Sequence, residues 1–100
     1  MRFEWDAAKS AENRRRRGFD FAFATLVFTQ STVEYDDDRR SYGERRVLAL
    51  GMADGIPLTI VYTDRVAPDG GHVRRIISAR VSNRKERRRY AEAIAATEAE

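Results

Sequence analysis

"ERRVLALGMADGIPLTIVYT", residues 44–63, decides the fold. Its first part alternates, which sets Arg46, Leu48 and Leu50 on one face of a strand and Arg45, Val47 and Ala49 on the other. Asp54-Gly55 is a hairpin signal, and the β-branched run PLTIVYT (57–63) after it predicts an antiparallel partner. Downstream, DRVAPDGGH (64–72) reads as a glycine-bearing loop and VRRIISARV (73–81) as another strand. Strict alternation there groups Val73, Arg75, Ile77, Ala79 and Val81 as the core face, with Arg74, Ile76, Ser78 and Arg80 opposite. Asn83 followed by Glu86 has the spacing of a capping box, and it opens a helix through RKERRRYAEAIAATEAE (84–100). Tyr90 and Ile94, four apart, are expected to bury one stripe of that helix against the sheet.

Upstream, STVEY (31–35) favours a strand and DDDRRSYG (36–43) a polar connection. MRFEW (1–5) is a short strand with Phe3 and Trp5 on one face. Asp6 then caps a helix over about residues 7–17, which Gly18 ends. Asp20 caps a second, short helix whose Phe21, Phe23, Leu26, Val27 and Phe28 are assigned to the core. A strand, two helices, a run of strands and a last helix predict an α+β fold. The expected architecture is an antiparallel sheet of about four strands, packed on one face by two N-terminal helices and one C-terminal helix.

At 100 residues and 42% hydrophobic composition the chain is sized for a single domain over residues 1–100, with no room for a second core. It has no cysteine, which excludes disulfides, thiolate metal sites and thiol redox chemistry. One histidine, His72, excludes paired-imidazole catalysis within a chain. No stretch approaches the roughly 20 apolar residues of a membrane span, and MRFEWDAAKS (1–10) lacks the apolar core of a secretory signal. A cytoplasmic protein with no membrane partner is expected. The net charge is +3 and the pI about 9.7, and every basic residue except Lys9 and Lys85 is arginine. The planar guanidinium fork matches phosphate, so an anionic partner such as nucleic acid fits.

The arginines fall into three clusters: Arg14–Arg17, Arg45 with Arg46, and Arg74 through Arg89. Consecutive residues fan around a helix, so at most two of the first cluster can address one ligand while the rest are solvated. Arg46 and Arg80 are more informative, since each sits near a strand end among apolar neighbours and must reach the rim of the sheet or an anion. The ordinary alternative is an ion pair with Glu44, Glu86 or one of Asp36 to Asp38. EYDDDRR (34–40) does not make a metal site, because carboxylates on an extended chain alternate sides and no second cluster completes the ligand set. Asp69-Gly70-Gly71 is too short for a phosphate loop, and His72 after it reads as a surface turn residue. Charge alone leaves open a general nucleic-acid-binding protein in which no single arginine dominates.

With FEWDAAKSAEN (3–13), GFDFAFATLVF (18–28), YGERR (42–46), RIISAR (75–80) and RKERRRY (84–90) in this order, the chain resembles the BrnT family of bacterial type II toxin-antitoxin toxins from Phe3 to Tyr90. The resemblance implies a RelE-like fold and a ribonuclease that inhibits translation without metal or other cofactor. It also implies neutralisation by a BrnA-type ribbon-helix-helix antitoxin within a heterotetramer that meets operator DNA only through the antitoxin. Residue by residue it points to Arg46, Arg80 and Tyr90 as catalytic, with Glu44 or Glu86 as base, although Glu86 also fits a capping role. RNA contacts fall to Arg16, Arg17, Arg75, Ser78 and Arg87. Metal-free cleavage needs an activated 2′-hydroxyl and cations at the phosphorane, roles that suit Arg46 and Arg80. Where the family usually reads Lys-His-Gly, this chain has Arg16-Arg17-Gly18, so an imidazole is replaced by a group that cannot accept a proton at neutral pH. The alternative expectation is therefore a catalytically weak or inactive toxin-like module that pairs with a DNA-binding antitoxin as corepressor.

Overall fold

The computed structural model describes residues 1–39 and 43–99, so Arg40, Ser41, Tyr42 of the YGERR motif and Glu100 lie outside the described residues. The elements in chain order are β1 (Arg2–Trp5), α1 (Ala7–Arg17), α2 (Phe21–Ala24) running on into a 3-10 turn (Thr25–Thr29), β2 (Val33–Asp36), β3 (Val47–Ala53), β4 (Ile56–Val66), β5 (His72–Val81) and α3 (Arg84–Glu98). The expected hairpin forms at Asp54-Gly55, where both residues take positive φ and β3 and β4 pair antiparallel from Ala53↔Ile56 to Val47↔Tyr62.

The sheet has five strands in the order β1-β5-β4-β3-β2 rather than about four, and it is mixed, because β1 pairs parallel to β5. Periodicity identifies MRFEW as a strand but carries no information on its partner. That choice is made by long-range packing: Phe3 stacks on Phe28 at 5.7 Å and, with Trp5, packs against the core, which brings β1 to the outer edge of β5. β4 also runs further than PLTIVYT, to Val66, leaving only residues 67–71 as loop and making His72 the first residue of β5 instead of a turn residue. Its polar end is held by a cross-strand pair, Asp64↔Arg74, with hydrogen bonds of 2.8 and 2.9 Å.

A bulge overturns the expected faces of β5. Val61 pairs with Ser78 but Tyr62 with Ile76, so Ile77 is an extra residue and the alternation shifts by one. Arg75, Ser78 and Arg80 therefore share a face, while Arg74, Ile76 and Ala79 face the other way with Ile60 and Tyr62. Ile76 and Ala79 are core; Arg75 and Val81 are not buried, and Ile77 is only half-buried.

Helices cover both faces, not one. α2 and the 3-10 turn place Phe21, Ala24 and Val27 over Ala49, Ile60 and Ile76. Ala24 and Val27 stand three apart, the eclipsed spacing of a 3-10 helix, which turns Leu26 outward to 41% exposure, contrary to its assignment to the core. Gly51 of β3 admits Val27 so closely that a Cβ there would lie 2.9 Å from the Val27 Cβ. α3 lies on the opposite face, where Tyr90 and Ala91 meet Met52 and Pro57. Its capping box forms as expected, yet none of its 15 residues is buried, and Tyr90 and Ile94 are only half-covered.

Gly51→Ala is expected to lower stability by about 1–3 kcal/mol through overpacking against Val27. Urea unfolding followed by circular dichroism reads this, and an unchanged midpoint would mean that the 3-10 turn yields freely.

Candidate nucleic-acid interface

β1 accompanies β5 only as far as Trp5↔Ile76, and alongside the following residues of β5 lies α1 rather than a strand. Between them opens a cleft of about 510 Å³. α1 is fixed at both ends by local chemistry. Asp6 accepts from the Lys9 N–H at 3.0 Å, and Gly18, at φ 88°, returns its N–H to Arg14 O. The buried Ser10 hydroxyl accepts the Phe21 N–H at 3.0 Å, which docks α1 against α2. Lys9, Glu12, Asn13 and Arg16 are spaced i, i+3, i+4 and i+7, so one helical face delivers all of them to the cleft, with Arg17 beside them. The sheet contributes Thr59, Val61, Ser78 and Arg80, and the segment after β2 contributes Arg39.

The cleft is lined by five cations, Lys9, Arg16, Arg17, Arg39 and Arg80, against one carboxylate, Glu12. Glu12 is already engaged: hydrogen bonds from Arg15 hold its carboxyl below the usual range, and Arg16 stands 3.9 Å away. Among the described residues Lys9 and Arg17 have no carboxylate partner. Arg39 and Arg80 are paired with Asp37 and Glu86, so Lys9 and Arg17 supply the charge most open to a polyanion in this concave wall.

The sheet register extends this face. Leu50, Thr59 and Arg80 form one row across β3, β4 and β5, and Leu48, Val61 and Ser78 the next. Arg46, just before β3, shares the parity of Leu48 and continues a third row with Thr63 and Arg75, the Thr63 hydroxyl donating to Arg45 O at 2.7 Å. Arg46 and Arg80 are thus two rows apart, roughly 13 Å along the strands. That spacing suits separate phosphates of one strand better than a clamp on one.

The ordinary alternative of ion pairing also holds. Arg46 donates to Glu44 at 3.2 Å, and Arg80 to both Glu86 oxygens at 2.6 and 2.8 Å. Burial alone would raise the Glu86 carboxyl, but Arg80 and the Asn83 N–H outweigh it and bring the pKa down to about 2. Glu86 is therefore a capping and anchoring carboxylate, ill-suited to accept a proton near neutrality. Arg75 approaches Glu4 at 3.7 Å, while Glu4 is held chiefly by Arg65.

Of the residues singled out from sequence, Arg16, Arg17, Ser78 and Arg80 meet in the cleft, and Arg46, Glu44 and Arg75 lie further along the sheet. Tyr90 and Arg87 do not join them. The Tyr90 hydroxyl donates to Ser31 O at 3.2 Å and Arg87 to Ser82 O at 2.7 Å, and both line a separate cleft of about 210 Å³ under α3. His72 is elsewhere, 3.3 Å from Asp64 on the face that α2 covers. Lys9, Asn13 and Arg39 were missed. Helical spacing from Arg16 back to Lys9 was a usable signal for the first two. Arg39 had none: it is placed by two hydrogen bonds to Asp37, whose side chain is 1% exposed, and nothing in Asp36-Asp37-Asp38 marks which aspartate is buried. Asp36 instead pairs with Arg45.

The family model described as ribonuclease toxin, BrnT, of type II toxin-antitoxin systems matches residues 5–86. No curated protein matches the chain. The described helices include none long and apolar enough to cross a membrane.

Glu86→Gln keeps the capping geometry but removes the charge that Arg80 meets. Because the folded carboxyl sits at about 2 and an unperturbed one at 4.5, its stabilisation is full above the unfolded value and lost as pH falls toward the folded one. The parent is expected to exceed the variant by up to about 3 kcal/mol near neutrality. That advantage should vanish near pH 2 in denaturant titrations, and a pH-independent gap would refute the charge linkage.

Proposed function

The chain belongs to the BrnT family of ribonuclease toxins of type II toxin-antitoxin systems, and from that membership we propose a metal-independent endoribonuclease that cuts RNA and so inhibits translation. The observation that carries the reading is the cleft lined by five cations, of which Lys9 and Arg17 have no carboxylate partner among the described residues. An RNA strand lies along the outer edge of β5. Lys9, Arg16 and Arg17 approach its phosphates from α1, and Arg80, fixed in orientation by Glu86, stabilises charge on the scissile phosphate. Ser78 donates one hydrogen bond, and Arg75 and Arg46 hold flanking phosphates. The 2′-hydroxyl attacks its own phosphate and the 5′-oxygen leaves, giving a 2′,3′-cyclic phosphate end. Glu44 stands beside Arg46 at the flanking phosphate, so the 2′-proton passes to solvent, which also protonates the leaving 5′-oxygen. Tyr90 and Arg87 serve indirectly, by seating the helix that carries Glu86. The same reading includes a RelE-like arrangement, action in the cytoplasm and a BrnA-type ribbon-helix-helix antitoxin. The pair would assemble as a heterotetramer and reach operator DNA through the antitoxin.

A second reading has its own observation. The described residues lining the cleft include no imidazole, and Glu86 is held at about 2. Cations without a well-matched base support binding without turnover, that is, a module that strengthens operator binding by its antitoxin.

Incubating purified protein with RNA in excess chelator and mapping the ends separates the two. Cleavage with cyclic phosphate ends is expected, and Arg80→Ala should slow it on the order of a hundredfold or more, as for loss of one transition-state donor. Arg80→Lys keeps a cation beside Glu86 and distinguishes lost chemistry from lost folding. Lys9→Ala should instead weaken RNA binding evenly across sequences and reduce the salt slope by about one. Intact RNA, together with tighter operator binding by the complex than by the antitoxin alone, would replace the first reading with the second.

A further inference from the structure

A second groove, of about 460 Å³, opens where the C-terminal end of α1 meets the hairpin end of β4 and the last residue of β5. On the face of the sheet that α2 covers, Leu58 and Ile60 lie beneath it, but Ile56 and Val81 extend past that cover and are 42% and 49% exposed. Phe19 and Phe23, half-buried with ring centroids 5.9 Å apart, add aromatic surface to the same groove. Exposed aliphatics and half-covered aromatics thus line one groove. The groove also has a polarity. Arg14 and Arg17 stand at its α1 end, and among the described residues neither has a carboxylate partner. Of the two acids lining the groove, Asp20 accepts the Phe23 N–H at 2.9 Å and Asp54 lies on the β3–β4 turn. Arg17 lines both this groove and the cationic cleft.

We propose that this groove is where the antitoxin docks, receiving a segment with apolar side chains for Ile56, Val81 and Phe23 and a carboxylate for Arg14 and Arg17. The inference rests on the family reading, which supplies a protein partner. Charge complementarity fixes the chemistry of that segment: an acid at the α1 end, apolar groups along the sheet. Pairing Arg17 with the antitoxin withdraws it from the neighbouring cleft, so docking in one groove reduces the positive charge facing RNA in the other.

The test is calorimetric titration of the purified chain with its cognate antitoxin. Val81→Glu and Ile56→Glu should each raise Kd roughly tenfold or more, as expected for apolar anchors at an interface. Leu26→Glu, equally exposed but outside the groove, should leave Kd unchanged. Arg14→Gln should weaken binding and flatten its salt dependence. Should an acidic variant melt early, Val81→Ser removes the apolar contact without adding charge. Unchanged Kd in the groove variants, or an equal loss in Leu26→Glu, overturns the proposal. So would variants that alter only self-association of the chain, measured by sedimentation. The readout is binding, so failure of the parent to cleave RNA would count against the ribonuclease reading and leave this one standing.

Discussion

One inserted residue in β5 organises both faces of the molecule. With Ile77 bulged out, Ile76 and Ala79 turn into the core beneath α2, and Ser78 and Arg80 turn to the same face as Arg75. Without the bulge, continuous alternation would set Ser78 and Arg80 opposite Arg75 and on the same face as Ile76. The bulge falls just past Trp5↔Ile76, where β1 ends. Core burial, termination of the parallel pair and the opening of the cleft thus share one stretch of backbone. Bulges concentrate at sheet edges and beside functional sites because they re-aim side chains at that kind of boundary.

Electrostatics then sets two groups of cations apart. On the face that α2 covers, Arg74 is 14% exposed, donates to Asp64 and lies 3.9 Å over Tyr62 and 4.8 Å over Phe28. The Tyr62 hydroxyl, pushed up by burial and by donating to Glu34 at 2.7 Å, completes a satisfied network that cements the core. Lys9, Arg14 and Arg17 are the other population, solvated and lacking a carboxylate partner among the described residues. A positive net charge says little about binding by itself; its placement on α1, beside a free sheet edge, gives it a direction.

Local signals reached some of this. Asp6, Gly18, Asp20, Asp54-Gly55 and Asn83 with Glu86 were legible because caps and turns are encoded within a few residues. Arg80 and Arg46 were legible as cations in awkward positions near strand ends. What stayed hidden was non-local. The parallel pairing of β1, the placement of α3 on the opposite face and the bulge depend on which surfaces meet, and periodicity carries no record of that. Leu26 shows the same limit at short range: read with helical spacing it belongs to the core, and a tighter turn of backbone exposes it. Arg39 entered the cleft only because a distant fold buries Asp37.

α3 buries no side chain, and its links to the rest of the molecule are mainly polar: Arg80 to Glu86, Arg87 to Ser82 O, Tyr90 to Ser31 O and Arg89 4.0 Å above Tyr35. All of these fall in its first half. Opening a segment costs what its contacts supply, so the turns after Tyr90 exchange their amides faster than the first half of α3. If fraying reaches the first turn, Glu86 leaves with it and Arg80 is set free at the edge of the sheet. The ordering of a terminal helix and the charge offered to a polyanion are in that sense a single equilibrium.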